Sequence, residues 1–247
     1  MAIRRLSSVV PHPLSGLRLV PGYLDRAAQE RLRDELTAVM LRAPAYTPRM
    51  PRTGHPMSVR MTNCGPLGWV TDERGYRYQP HHPETGEPWP PIPEIVLAAW
   101  RELADYPHPP EACLVNLYGP TARMGLHQDR DEQDFAAPVV SLSLGDSCLF
   151  RIGGEKRSDP TRTFRLASGD ALVLGGEARL AHHGVDRIMP GTSTLLSSYA
   201  LRATEDISTL RSTSVRRSPP SGEGGCGEAG PDGGRINLTL RRVTRPA

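Results

Sequence analysis

Residues 112–145 read ACLVNLYGPTARMGLHQDRDEQDFAAPVVSLSLG. Three apolar-rich runs, CLVNLY at 113–118, MGLHQD at 124–129 and VVSLSL at 139–144, are parted by stretches rich in Gly, Pro and Asp. Each run has the length of a strand and is too short for an ordinary helix. The rhythm continues with CLFRI at 148–152, TFRL at 163–166, DALVL at 170–174, LAHHGV at 180–185, STLLSS at 193–198 and RINLTL at 235–240. The separators GPTAR, GDS, GGEKRSDPTR, SGD and MPGT form turns. Many short strands joined this way predict an all-β sandwich or barrel over 112–247.

Upstream the pattern differs. A helix is expected from Arg26 to about Met40, capped by Asp25, with Leu32, Leu36 and Val39 on one face. A second is expected from Pro93 to Ala104, with proline at its first turn. Residues 17–111 therefore carry helices together with an irregular Pro-rich stretch, about 44–92, that contains Trp69, Tyr76 and Tyr78. Its length marks it as a candidate functional loop or lid. Residues 1–16 are expected to form a flexible arm. Within residues 203–234 the low-complexity run SPPSGEGGCGEAGPDGG is almost without hydrophobic residues, and the segment is expected to be a disordered insert before the last strand.

The chain has 247 residues with 24 Gly and 25 Pro, too many for a helical bundle. No apolar run approaches the roughly 18 residues of a membrane span. The net charge of +3 permits a nucleic-acid partner without demanding one. Cys64, Cys113, Cys148 and Cys226 lie far apart and form no CxxC pair, so neither a cysteine zinc site nor a disulfide framework is expected. Arg4-Arg5 is followed by no sustained apolar segment, which Pro11 and Pro13 would interrupt in any case. A cytoplasmic monomer with no membrane contact is the expectation.

The chemistry centres on His127-Gln128-Asp129. Residues two apart in a strand share a face, so an imidazole and a carboxylate meet there. A later histidine would complete a two-His, one-carboxylate facial set, the ligand type of non-heme Fe(II) oxygenases. His182 and His183 are the candidates. They face opposite sides in a strand, so only one of them can serve, and spacing does not choose. In the last strand Arg235, Asn237, Thr239 and Arg241 alternate with Ile236, Leu238 and Leu240. If the polar face points inward, its guanidinium groups need carboxylates, as a dicarboxylate would provide. The same alternation also fits an edge strand with its polar side in water. Asn116 and Tyr118 share a face of their own strand and offer hydrogen bonds to the same ligand.

Four stretches together resemble the AlkB family of Fe(II)/2-oxoglutarate dioxygenases: MSVRMTNCGPLGW at 57–69, CLVNLYGPTARMGLHQDRDE at 113–132, GGEARLAHHG at 175–184 and RINLTLR at 235–241. The similarity covers about 17–198 and 235–243, and the segment 57–80 is like that of the bacterial DNA-repair branch. The resemblance implies a double-stranded β-helix, or jelly roll. It implies Fe(II) on His127, Asp129 and His183, the last because it directly precedes Gly184. Arg235 and Arg241 would pair with the carboxylates of 2-oxoglutarate, Arg241 with the distal one, and Asn116, Tyr118, Asn237 and Thr239 would complete that cradle. On the substrate side Trp69 would stack on a base and Tyr76 would touch the nucleic-acid backbone. Asp131 would face the methylated base, Arg157 would lie beside it, and Met61 belongs to the same set.

The implied activity is oxidative demethylation of bases such as 1-methyladenine and 3-methylcytosine in DNA or RNA. O2 and 2-oxoglutarate are consumed, the N-methyl carbon is hydroxylated, and formaldehyde is released. The base must be flipped or single-stranded to reach such a site. Three positions depart from the family pattern: the long insert, Arg130 in place of lysine, and Leu174 in place of an aromatic. Two rival readings are a hydroxylase of protein or small molecules and an idle nucleic-acid-binding module. The first would not need the Trp69–Tyr76 lid, and the second should have lost a ligand or a carboxylate-binding arginine.

Overall fold

The structure is a computed structural model and describes residues 10, 11, 14–195 and 234–246. In chain order its elements are β1 (Val10–Pro11), β2 (Leu17–Val20), α1 (Arg26–Arg42), β3 (Val59–Cys64), β4 (Gly68–Asp72), β5 (Gly75–Gln79) and α2 (Glu94–Leu103). Then come β6 (Ala112–Tyr118), β7 (Met124–His127), β8 (Val139–Gly145), β9 (Ser147–Ile152), β10 (Arg162–Leu166), β11 (Ala171–Leu174), β12 (His183–Met189) and β13 (Arg235–Arg241). A seven-stranded sheet has the order β1-β2-β11-β8-β13-β6-β3, and a four-stranded sheet the order β10-β9-β12-β7. The two face each other as a jelly roll, and β4–β5 is a separate hairpin.

Alternation along the strands sorts side chains into two cores. On the outer face of the large sheet, Val115, Val140, Leu142, Val173, Leu238 and Leu240 pack with the two helices. Asp25 caps α1 by accepting from the Ala28 amide at 2.8 Å, and Leu32 and Leu36 carry its buried face at 0% exposure. Each such buried leucine contributes roughly 1.5–3 kcal/mol. The helix stops at Arg42 because Pro44 disfavours helical geometry at Ala43. On the inner face, Leu114, Val139 and Leu172 meet Phe150, Ile152 and Val185 of the small sheet.

β13 is no edge strand. It pairs with β6 on one side and β8 on the other, so its leucines face the helices and its polar residues face the interior. The stretch 44–92 is also more ordered than its composition suggests. β3 pairs with β6 from Val59↔Tyr118 to Cys64↔Cys113, and only Arg60 among its six residues is exposed. A strand buried on both faces has no polar–apolar alternation to betray it. Of LAHHGV only His183 onward is strand, after a 3-10 turn at Gly176–Leu180. Ser193–Leu195 are not in a strand. The rest of STLLSS, the insert 203–233 and residues 1–9, 12 and 13 of the arm lie outside the described residues. Val10–Pro11 of that arm pairs with β2. Among the described residues no helix is long and apolar enough to cross a membrane.

Candidate active site

A cavity of about 600 Å³ opens between the two sheets. β7 ends at His127, and the register of β12 places His183 directly opposite it. Gly184 permits this approach: a Cβ there would lie 2.4 Å from the Met124 carbonyl oxygen. The two rings are 4.6 Å apart. Asp129 completes the group, Oδ1 lying 3.7 Å from His127 Nε2 and Oδ2 3.8 Å from His183 Nε2. One donor atom from each residue lies within 4.8 Å of the other two. His182 stays outside this cluster, because it faces the other side of the chain from its neighbour.

Each imidazole is also oriented from behind. His127 Nδ1 lies 2.9 Å from the Gly125 carbonyl and His183 Nδ1 lies 3.0 Å from the Ala181 carbonyl. A carbonyl only accepts, so Nδ1 carries the hydrogen and Nε2 presents its lone pair to the cluster. Burial, set against the pull of the Asp129 charge, pushes the His183 pKa down to about 4, leaving a neutral ligand at neutral pH. Burial works to raise the Asp129 carboxyl, but Arg241, the two histidines and Arg179 outweigh it and hold it below the usual range. Two imidazoles and one carboxylate, with an open cavity in front of them, fit Fe(II) with free coordination positions.

The polar face of β13 lines the same cavity. Arg235 is 1% exposed, donates to Ser143 Oγ at 2.8 Å and to the Asp146 carbonyl at 3.2 Å, and lies opposite Tyr118. Asn237 donates to Ser141 Oγ at 2.7 Å, and Thr239 donates to Asn237 at 3.2 Å. Arg241 sits at the other end, donating to Asp129 Oδ1 at 2.7 Å and to the Tyr78 hydroxyl at 3.0 Å. This geometry reverses one expectation: the arginine beside the metal cluster is Arg241, and the remote one is Arg235. Asn116 Oδ1, Arg235 Nε and Arg241 Nε are buried without a partner among the described residues. Orphaned polar atoms lining a cavity fit an absent polar ligand, and the two cations suit a dicarboxylate.

Three residues of this site, Arg179, Glu132 and Tyr78, have no role assigned from the sequence. Arg179, 2% exposed, donates to the Asp129 carbonyl at 2.7 Å and to Glu132 Oε2 at 3.1 Å. Glu132 also accepts from the Tyr78 hydroxyl and lies 3.4 Å from Arg241. Two buried carboxylates, Asp129 and Glu132, thus balance two buried guanidinium groups, which is what lets four charges leave water together. The signals were present but weak. Glu132 closes the run HQDRDE, Tyr78 shares the period of Tyr76, and Arg179 precedes the paired histidines.

At the cavity mouth, Trp69 on β4 and Tyr76 on β5 stack with centroids 5.5 Å apart and 17° between planes. The Trp69 indole donates to Asp131 Oδ2 at 2.7 Å. Met61 on β3 is 2% exposed and lines the cavity. Arg157 does not line it; its guanidinium is bound to the Leu126 carbonyl at 2.7 Å.

The family model of the 2OG-Fe(II) oxygenase superfamily matches residues 16–241. The chain belongs to this superfamily, and it is an Fe(II)/2-oxoglutarate-dependent dioxygenase that uses O2. Within that class it is a member of the AlkB family. It is 49% identical over 236 residues to the alpha-ketoglutarate-dependent dioxygenase AlkB homolog of Caulobacter vibrioides, covering 96% of this chain and 90% of that one. It is 41% identical over 181 residues to alpha-ketoglutarate-dependent dioxygenase AlkB of Escherichia coli K12, covering 72% and 83%. The solved structure of OsALKBH1 superposes with a TM-score of 0.69 at 29% identity, covering 95% of this chain and all of that one.

Proposed function

We propose that this dioxygenase is an oxidative demethylase of N-alkylated bases in DNA or RNA, of the 1-methyladenine and 3-methylcytosine type. The observation that carries the reading is the Trp69–Tyr76 stack facing the same cavity as the His127–Asp129–His183 cluster. An aromatic pair over an oxidising centre holds a flat substrate by its faces. The carboxylate of Asp131 beside Trp69 suits the positive charge that methylation places on N1 of adenine or N3 of cytosine. Such a base must be single-stranded or flipped from its duplex to enter. Its pairing is already lost through the lesion, which lowers the cost of flipping. The enzyme acts as a cytoplasmic monomer in this reading.

His127, Asp129 and His183 would hold the iron. With 2-oxoglutarate and O2 that iron would supply the oxidising power to put one oxygen atom into a C–H bond, with succinate and CO2 as the co-products. Arg235, with Tyr118 beside it, would clamp the distal carboxylate. Arg241, with Asn116, Asn237 and Thr239, would hold the end nearer the metal. Trp69 would stack on the base, Tyr76 would contact the nucleic-acid backbone, Met61 would fill the floor, and the walls would exclude water from the reacting carbon. The hydroxymethylated nitrogen then loses formaldehyde without needing a side-chain nucleophile. The test is formaldehyde release from a 1-methyladenine oligonucleotide, with and without Fe(II) and 2-oxoglutarate. Release that needs both supports the reading. Co-substrate turnover without release from any methylated oligonucleotide would move the protein to another substrate class.

A further inference from the structure

Tyr78 has an unusual position for a residue of a surface hairpin. It lies directly across from Trp69 in the β4–β5 pairing, and Thr71 lies across from Tyr76. Period two therefore puts Trp69, Tyr76 and Tyr78 on one face of the hairpin. The opposite face carries Val70, which packs with Tyr46 and Trp89 in a small core of its own. The first two aromatics reach the cavity mouth. Tyr78 reaches past them to the charged group around the metal ligands, donating its hydroxyl proton to Glu132 and accepting from Arg241 Nη1 at 3.0 Å.

The other Nη of Arg241 is on Asp129 at 2.7 Å. The hydroxyl is thus the wedge between Arg241 and Glu132, whose closest atoms are 3.4 Å apart. Removing it leaves a buried cation facing a buried carboxylate at near contact. Attraction in that setting is strong, so Arg241 would close on Glu132 and turn away from Asp129 and from the cavity. Glu132 cannot move to meet it, because Arg179 holds its other oxygen at 3.1 Å.

We infer that Tyr78 is a positioning residue for the co-substrate: its hydroxyl sets the direction of Arg241, so the hairpin that grips the base also fixes the grip on 2-oxoglutarate. The inference rests on the dioxygenase assignment and on Arg241 facing the co-substrate, as proposed above. It does not depend on the identity of the base.

The experiment uses the full chain loaded with Mn(II) under anaerobic conditions, so that 2-oxoglutarate binds without turnover. Tyr78→Phe is expected to raise its Kd about tenfold, the effect of losing one hydrogen bond to a charged group. KM for 2-oxoglutarate should rise in parallel, with kcat at saturation changed less than about twofold. In an Arg241→Lys background the same substitution should add little further loss, because the hydroxyl acts through the guanidinium. An unchanged Kd overturns the inference, and so do losses that simply add. A fall in the melting temperature of the metal-free protein by more than about 10 °C would also overturn it, by making the hydroxyl a general structural element. None of these measurements contains nucleic acid. A failed demethylation assay with the expected Kd change would sink the proposed substrate and leave the role of Tyr78 standing.

Discussion

The two ends of the cavity are built in opposite ways. The proposed co-substrate end stands on β13, which has a hydrogen-bonded neighbour on each side, while the candidate metal ligands come from β7, β12 and the stretch after β7. Arg235, Thr239 and Arg241 on that strand are all buried. The base end hangs on a two-stranded hairpin, where Tyr76 is 47% exposed and Trp69 leans on the exposed carboxylate of Asp131. Strands paired on both sides open only with the whole sheet, whereas a hairpin can move alone. The co-substrate side is therefore built on a centrally paired strand, and the side that meets the larger ligand is built on a hairpin whose outer aromatics are partly exposed.

The largest break in this comparison lies at the metal and co-substrate end. His183→Ala removes a donor that no neighbour can replace, and Fe(II)-dependent turnover should be abolished. His182→Ala should retain it, because His182 faces away from the cluster. Iron affinity and co-substrate turnover of the two variants decide the matter; equal loss in both would refute the ligand assignment.

The two arginines sharpen it further. Arg235→Lys keeps the charge and loses the fork, so the KM for 2-oxoglutarate should rise roughly tenfold or more, given about 1.5–3 kcal/mol for a charged hydrogen bond. Metal affinity should stay put, since Arg235 contacts no ligand of the cluster. Arg241→Lys should weaken both, because Arg241 is bonded to Asp129. Titrations with Mn(II) and with 2-oxoglutarate separate the two patterns. Metal loss in Arg235→Lys alone would invert the assignment of ends.

At the hairpin end the effect is smaller and of another kind. Trp69→Ala should weaken use of a methylated oligonucleotide by roughly 5- to 150-fold, the range for about 1–3 kcal/mol of base stacking. Binding of 2-oxoglutarate should be unchanged, as the Trp69 side chain is hydrogen-bonded to Asp131 and to neither arginine. A variant that loses both, with a lowered melting temperature, would mean that Trp69 is there to hold the fold.

The same division governs what could be read from residues alone. The alternation of β13 follows from period two, a local property, whereas the His127–Asp129 pair does not, because β7 ends at His127 and Asp129 lies beyond the strand. Whether β13 lay at the centre or the edge was not local: its polar face is compatible with water or with a buried ligand, and only the pairing with β6 and β8 decides. The choice of His183 over His182 depended on a strand register set by β7, and likeness to a family supplied what spacing could not. Glu132, Arg179 and Tyr78 meet from positions 47 and 54 residues apart, and no periodicity connects them. β3 went unread because its two faces are both buried.

The smallest effect is expected in the Gly- and Pro-rich segment before the last strand. Replacing about Ala203–Gly233 with a short Gly/Ser turn should leave co-substrate turnover within about twofold, since closure entropy changes by only about 0.6 kcal/mol per doubling of loop length. The stretch contains SPPSGEGGCGEAGPDGG, a run poor in apolar side chains. The geometry of its flanks supports the same outcome. Asp146 accepts from the Ser193 amide through Oδ1 at 2.8 Å and donates its own amide to the Gly234 carbonyl at 2.8 Å. One residue thus holds both the point where the described chain leaves the core and the point where it returns. A short connection has little distance to span, and Arg235 follows Gly234 directly into β13. The Asp146 corner, which already bonds Arg235 through its carbonyl, would then keep the strand in register without the insert. Loss of 2-oxoglutarate binding in the shortened chain, with the metal still bound, would show that the insert itself sets the position of Arg235.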